Sequence, residues 1–204
     1  MTEPGFALFD TAIGSCAIAW SGRGVVGVQL PEGTEAKTRA RMRRRYSGAH
    51  ETSPPTDVQR VVDGIVALLR GEAVDFSTVA LDMDRVPEFH RRVYAVARTI
   101  ACGATLTYGE ITKRLGAPGE AAPDVGQALG RNPFPIIVPC HRVLAAGGKL
   151  GGFSARGGVT TKFRLLSIEG ARPSDAPTLF VMEPSTARSR SRRTARPRAP
   201  GAPR

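Results

Sequence analysis

One cysteine in the chain has neighbours that could make it a nucleophile. Cys140, His141 and Arg142 follow an apolar run that three prolines interrupt, within N-P-F-P-I-I-V-P-C-H-R-V at residues 132–143. A thiol must ionise before it attacks carbon, and a nearby imidazole or cation lowers its pKa from about 8.5 towards neutrality. The prolines impose a rigid, extended path on this segment. The trio indicates thiol chemistry. The alternative is a structural role, in which Cys140 is a small buried apolar residue and His141 is a polar residue whose hydrogen bonds are made within the fold.

The N-terminal part of the chain predicts a small antiparallel sheet and a helix. Apolar runs at 6–9, 16–20 and 25–30 are separated by breaks that contain glycine, which is typical of short strands. Residues 34–46 are basic and polar on most faces, whereas residues 57–70 place apolar side chains at helical spacing. The sequence therefore predicts a helix more clearly at 57–70 than at 34–46.

A connector divides the chain after this sheet. Residues 74–81 predict another short strand, and Asp84-Arg85-Val86-Pro87 then leads into a new unit. Beyond Pro87 the apolar stripe formed by Phe89, Val93, Val96 and Ile100 predicts a helix that runs to about residue 100. We therefore place a domain boundary after residue 86.

Two short helices are predicted in the second unit. Thr107 and Glu110 have the spacing of a capping box, which opens a helix that ends near Gly116. Pro123 suits the first turn of the next helix, and Gly130 lies near its end. The pair suggests a helix-turn-helix, although two packed core helices would look similar.

The charge of the chain suggests an anionic partner, but much of it lies in a tail. The net charge is +11, and seven arginines with no acidic residue fall between Arg188 and Arg204, which leaves about +4 for the rest. The composition of this tail predicts disorder. It either attracts phosphate nonspecifically or is a dispensable solubilising extension.

The remaining composition points to a cytoplasmic globular protein. No apolar run approaches the roughly 18 residues that a membrane helix needs, and the N-terminus lacks the pattern of a secretory signal. Three cysteines without C-x-x-C spacing indicate free thiols in a reducing compartment and no metal site. The predicted fold class is α/β, of the α+β kind: a small N-terminal antiparallel-sheet domain (1–86), a mostly helical domain with a helix-turn-helix (87–171), and a basic tail (172–204).

The segment from Tyr108 to Gly170 resembles the O6-alkylguanine-DNA alkyltransferase family, also called methylated-DNA–protein-cysteine S-methyltransferases. The resemblance rests on N-P-x-P-I-I-V-P-C-H-R-V and on the downstream G-G-F-S-A-R-G-G-V-T-T-K-F-R-L-L-S-I-E-G, and it extends loosely over residues 5–171. It implies DNA repair by a monomer without metal or organic cofactor. In that reaction the damaged guanine is flipped out of duplex DNA. The alkyl group on its O6 is then transferred to Cys140, once per protein molecule.

The resemblance also implies roles for individual residues. His141 would activate Cys140 through a water molecule, Glu169 would orient His141, and Asn132 would support the active-site turn. Tyr108 would help to rotate the nucleotide and would assist the departure of guanine. The base pocket would be formed by four further residues, Phe153, Ser154, Pro135 and Lys162.

The DNA-binding helix departs from the family pattern. The family lays this helix in the minor groove, and its intercalating arginine falls here on Pro123, next to Asp124, so we expect weaker DNA binding but unchanged chemistry. The residues predicted to contact DNA are Pro123, Gly126, Ala128, Arg131 and Arg142.

Three other functions compete with repair. A non-catalytic lesion-binding module of the same fold would lack the acceptor cysteine, which is present here. A thiol hydrolase built on Cys140, His141 and Glu169 would need an oxyanion hole, for which the sequence offers no signal. A transcription factor would not need the Cys140 motif.

Overall fold

The N-terminal half is a four-stranded sheet with helices on both faces. In the computed structural model, which describes residues 3–174, the strand order is β3-β2-β1-β4; β1, β2 and β3 are antiparallel, and β4 runs parallel to β1. The elements of this half are β1 (Gly5–Thr11), β2 (Gly14–Ser21), β3 (Gly24–Gln29), α1 (Glu35–Arg45), β4 (His50–Glu51) and α2 (Thr56–Leu68).

The central strand β2 is buried on both faces. Ala17 and Ala19 pack with Met42 of α1, whereas Ile18 and Trp20 point into the main core on the other face. Because side chains alternate along a strand, the continuous apolar run 16–20 reflects a strand covered on both sides. The prediction of a small antiparallel sheet is confirmed.

The helix predicted at 57–70 is confirmed as α2, which buries the apolar stripe that indicated it. The strand predicted at 74–81 is wrong. Only Leu81 forms an isolated bridge, to Val25, and the preceding residues are turns and irregular chain. The Arg98 guanidinium binds the carbonyls of this segment, at Phe76, Ser77 and Val79, so those groups have no strand partner.

The C-terminal half is mostly helical, as predicted. Its elements are α3 (Glu88–Arg98), β5 (Leu106–Thr107), α4 (Tyr108–Arg114), α5 (Ala122–Gly130), β6 (Val143–Leu144) and α6 (Gly158–Ile168). The capping box at Thr107 and Glu110 is present, and a proline lies in the first turn of α5. Helix α4 packs on α5, and both contact α3, which gives the arrangement expected of a helix-turn-helix.

Two backbone pairings bring the predicted site residues together. The short parallel pair β5–β6 joins Leu106 to Val143, so the start of α4 lies beside the Cys140 segment. Val28 N in β3 donates to Pro133 O at 2.9 Å, which fixes the beginning of that segment to the N-terminal sheet.

The two halves share one hydrophobic cluster. Trp20 and Leu30 from the sheet belong to the same cluster as Val93, Phe134 and Leu165 from the helical half. The domain boundary after residue 86 stays a prediction. The arginine-rich part of the predicted tail lies outside the described residues. Within residues 3–174, no helix is both long and apolar enough to cross a membrane.

Candidate active site

The segment that holds Cys140 is a tight loop clipped by one amide. Asn132 Nδ2 donates to Val138 O at 2.8 Å, and Asn132 Oδ1 accepts from Phe134 N at 2.9 Å. Cys140 N then donates to Val138 O at 2.8 Å. Ile136, a buried non-glycine residue, has a φ of 76°, which costs about 1–3 kcal/mol and must be held by its surroundings. The loop therefore fixes the position of Cys140.

Cys140 begins a single 3-10 turn, Cys140–Arg142, and its side chain is buried. Burial raises the pKa of the Cys140 thiol, whereas the Asn132 amide and the charge of Lys162 lower it. At rest the group is a thiol, and it needs a base before it can attack. The other two cysteines differ: Cys16 is in β2 with its side chain in the core, where burial raises its pKa to about 12, and Cys102 is half-buried.

His141 is placed to act as that base. Its side chain is 0% exposed, and its Nε2 lies 2.9 Å from Glu169 Oε1. Burial lowers the pKa of His141 despite the neighbouring carboxylate, so the ring is neutral near pH 7. An ionised carboxylate only accepts hydrogen bonds, so the single ring proton lies on Nε2. Nδ1 then carries a lone pair, and no group among residues 3–174 bonds to this buried atom.

Glu169 is withdrawn from solvent at the end of α6. Burial alone would raise the pKa of Glu169, but the hydrogen bonds from His141 and Arg142 outweigh it and lower the pKa to about 2. Arg142 Nε donates to Glu169 Oε2 at 2.7 Å and Arg142 Nη2 to Oε1 at 2.9 Å. The carboxylate is thus ionised and held in one orientation.

The expectation that Arg142 contacts DNA is corrected by this geometry. The side chain is 6% exposed, and its remaining Nη1 donates to Ile100 O at 2.6 Å. Residues 140–142 form a single 3-10 turn, so the neighbouring His141 and Arg142 both reach Glu169. Arg142 holds Glu169, and each of its three guanidinium nitrogens donates to a group inside the protein, away from any phosphate.

Lys162 and Tyr108 lie together beside the thiol segment. Lys162, on α6, is fully buried, and its Nζ donates to Val143 O at 2.5 Å and to Gly152 O at 3.4 Å. The same Nζ lies 5.9 Å from the centre of the Tyr108 ring. Burial raises the pKa of Tyr108, so its phenol remains a proton donor at neutral pH. A lysine on a helix is usually solvated, so only the tertiary structure reveals this one as buried.

One glycine of α5 and one of the loop 151–157 flank the Tyr108 ring. A methyl group added at Gly126 in α5 would lie 3.8 Å from Tyr108 Cε1, and one added at Gly151 would lie 3.7 Å from Cε2. The loop 151–157 then continues through Phe153, which is half-buried against the core, and Ser154, which is exposed. Pro135 is half-buried in the thiol loop.

Comparison with known proteins identifies the group to which this arrangement belongs. Residues 88–171 match the family model described as 6-O-methylguanine DNA methyltransferase, DNA binding domain. A methylated-DNA–protein-cysteine methyltransferase of Mycobacterium bovis is 38% identical over 175 residues, which cover 86% of this chain and 98% of the relative. The chain belongs to the methylated-DNA–protein-cysteine methyltransferase family.

Other methyltransferases of this family agree in sequence and fold. A relative from Methanothermobacter thermautotrophicus is 39% identical over 153 residues, which cover 75% of this chain and 78% of that protein. The crystal structure of Mycobacterium tuberculosis OGT-R37K superimposes with a TM-score of 0.67 at 36% identity, covering 87% of this chain and 99% of the other. The structure of the same organism's OGT in complex with DNA gives a TM-score of 0.65 at 37% identity, covering 84% and 96%.

The helix-turn-helix of this methyltransferase presents only some of the residues predicted to contact DNA. Pro123 and Asp124 are exposed in the first turn of α5, and Gly126 is half-buried over Tyr108. Ala128 is corrected: it is fully buried, and its carbonyl accepts from the Tyr94 hydroxyl at 2.9 Å. Sequence reasoning missed Tyr94, which ties α3 to α5.

Arg131 is exposed directly after α5. It lines a cleft of about 910 Å³ between the N-terminal sheet and the helical half, with Tyr46 and Phe134 among the walls. Its placement allows a phosphate contact at the end of α5.

Proposed function

We propose that this protein repairs alkylated DNA by transferring the alkyl group from O6 of guanine to Sγ of Cys140. The observation that carries the proposal is the buried neutral His141, with Nε2–H bonded to Glu169 and the Nδ1 lone pair unpaired among the described residues, directly after a buried thiol. The match to the family over most of the chain supports the same reaction.

The first step moves the thiol proton. A water molecule between Sγ and His141 Nδ1 relays the proton to the ring, which becomes an imidazolium. Glu169 stabilises this cation, and Arg142 keeps Glu169 in place. The positive charge of Lys162 favours the thiolate that forms.

The second step transfers the alkyl group. The Sγ lone pair forms a bond to the alkyl carbon while the bond from that carbon to O6 breaks and leaves its electron pair on guanine. The Tyr108 hydroxyl donates a hydrogen bond to the departing base, and the proton taken from the thiol returns to guanine. The products are a thioether on Cys140 and restored guanine, and because a thioether does not leave readily, each molecule acts once.

The damaged base must leave the duplex to reach the buried thiol. Flipping costs a few kcal/mol, and the cost is least for a base that pairs poorly, as an alkylated guanine does. We assign the groove contact to the exposed Pro123 in the first turn of α5 and to Gly126 in the next turn, and a phosphate contact to Arg131. Phe153, Ser154 and Pro135 are assigned to the walls of the base pocket. Because Cys140 must stay reduced, the proposed site of action is the cytoplasm. The proposed acting form is a monomer.

Mass spectrometry tests the reaction directly. The protein is mixed with duplex DNA that carries O6-methylguanine, and the intact protein and its tryptic peptides are weighed. The expected result is one added methyl group on the peptide that contains Cys140, saturating at one per molecule. Cys140→Ala should bind the duplex but remain unmodified, and Cys102→Ala should behave like the wild type. A protein that binds the damaged duplex without gaining mass would instead be a non-catalytic lesion-binding module.

A further inference from the structure

The loop 151–157 is held at two points that belong to different halves of the chain. On the helical side, Lys162 Nζ donates to Gly152 O at 3.4 Å. On the other side, Arg156 Nη1 donates to Glu32 O, 124 residues earlier in the chain, at 2.8 Å. Three residues lie between these two points, Phe153, Ser154 and Ala155.

On the N-terminal half, Arg156 packs against Gly33, the residue after Glu32. A methyl group added at Gly33 would lie 2.9 Å from Arg156 Cζ, so the guanidinium packs closely on Gly33, and a side chain there would displace it. Gly33 also has a φ of 96°, which favours glycine. The contact therefore combines a hydrogen bond from a charged donor with close packing on the backbone.

Both ends of this contact are themselves fixed. Glu32 N donates to the buried Thr38 Oγ1 at 3.1 Å, and Gln29 Nε2 donates to Glu32 Oε1 at 2.9 Å. On the loop side, Thr161 Oγ1 of α6 donates to Arg156 O at 2.6 Å. Because both ends are fixed, this contact restrains the loop at Arg156.

We propose that Arg156 is a positioning residue that limits the size of the alkyl group the site accepts. This inference rests on the proposed function, in which Phe153 and Ser154 form a wall of the base pocket. A bulky group such as benzyl fills more of the pocket than a methyl group, so it requires that wall to retreat further. The link from Arg156 to Glu32 opposes the retreat, so the loop between β3 and α1 contributes to substrate selection without touching the substrate.

A matched control is available in the same molecule. Arg164, on α6, also joins the two halves by donating from Nη2 to a backbone carbonyl, that of Ala12, at 2.6 Å. It lies outside the loop. Arg164→Ala removes a comparable link between the halves, so it separates loop positioning from a general loss of contact between them.

The test compares transfer rates on one duplex that carries either O6-methylguanine or O6-benzylguanine at the same position. Arg156→Ala should raise the ratio of benzyl to methyl rate by about threefold to tenfold, the effect of losing one hydrogen bond of ordinary net strength, because the guanidinium is exposed to water. Arg164→Ala should leave the ratio unchanged, and Arg156→Lys, which keeps a cationic donor, should restore most of the wild-type ratio. An unchanged ratio in Arg156→Ala, or the same shift in both alanine variants, would overturn the inference.

Hydrogen exchange tests the tether independently of the chemistry. Amides of the loop 151–157 should exchange faster in Arg156→Ala than in the wild type or in Arg164→Ala, and unchanged exchange would also overturn the inference. If the wild type transfers neither group to Cys140, the proposed function fails, and the exchange result still decides whether Arg156 restrains the loop.

Discussion

His141 Nε2 and Glu169 Oε1 lie 2.9 Å apart, and both side chains are 0% exposed. Arg142 binds both oxygens of the same carboxylate, so three residues that the sequence separates by up to 28 positions form one buried network. Because the carboxylate is ionised and the imidazole neutral, the network fixes which ring nitrogen carries the lone pair. In the proposed reaction, the reactivity of Cys140 therefore depends on groups that do not touch the substrate.

Glu169→Gln tests that dependence. The substitution keeps the shape of the side chain but removes the charge that stabilises the imidazolium, so the rate of methyl transfer should fall by about 100-fold. It also leaves Arg142 as an uncompensated buried cation, which should lower the free energy of unfolding by about 3–5 kcal/mol. Single-turnover assays and urea unfolding measure the two effects. Glu72→Gln, the same change at an exposed position outside any helix, should alter neither, and a normal transfer rate in Glu169→Gln would exclude the proposed role.

The same network makes stability depend on pH. The pKa of Glu169 is lowered from 4.5 to about 2 in the fold, so its contribution is complete above about 4.5 and is lost as pH falls towards 2. The loss is on the order of 3 kcal/mol, since one pKa unit corresponds to about 1.4 kcal/mol. The pKa of His141 is also lowered, so the unfolded chain takes up that proton first, and stability declines further as pH falls below 6.5.

Urea unfolding between pH 7 and pH 3 measures this dependence. The wild type should lose stability more steeply with acid than Glu169→Gln, which lacks the titrating carboxylate. Parallel pH profiles for the two proteins would contradict the lowered pKa of Glu169.

Tyr108→Phe removes the hydroxyl assigned to the departing guanine. Because burial raises the pKa of the phenol, it is a donor across the neutral range, and its loss should slow transfer by about tenfold. Affinity for the damaged duplex should change little, since the ring remains between Gly126 and Gly151. Tyr46→Phe is the control, because that hydroxyl donates to Val26 O in the N-terminal half. A slowed Tyr46→Phe would show that the effect is not specific to the site.

Local patterns in the sequence predicted the elements that are defined by contacts between residues close together in the chain. The apolar stripe of α2 and the capping box of α4 depend on spacing within one turn or a few turns, and both are present. The thiol motif was equally readable because Asn132, Cys140 and His141 lie within one loop.

The burial of residues that depends on partners distant in the sequence could not be predicted in this way. Lys162 can be buried because the carbonyls of Val143 and Gly152 accept hydrogen bonds from it, and Ala128 is buried where the Tyr94 hydroxyl of α3 binds its carbonyl in α5. Arg142 faces inward because Glu169 lies 27 residues later at the end of α6. In each case the local sequence is that of a solvated or groove-facing residue, and a tertiary contact decides otherwise.

Pro123→Arg tests whether the proline at the position of the family's intercalating arginine weakens DNA binding. The position is exposed in the first turn, where an arginine adds a cation beside the proposed groove contact and a side chain that can fill the space left by the flipped base. Affinity for a duplex with O6-methylguanine should rise by about tenfold, and the slope of log K against log salt should steepen by about 1. Fluorescence anisotropy at several salt concentrations measures both. Pro118→Arg places the same charge in the preceding exposed turn and should give a smaller gain. Equal gains from the two variants would mean that charge alone, and not the position in α5, determines the affinity.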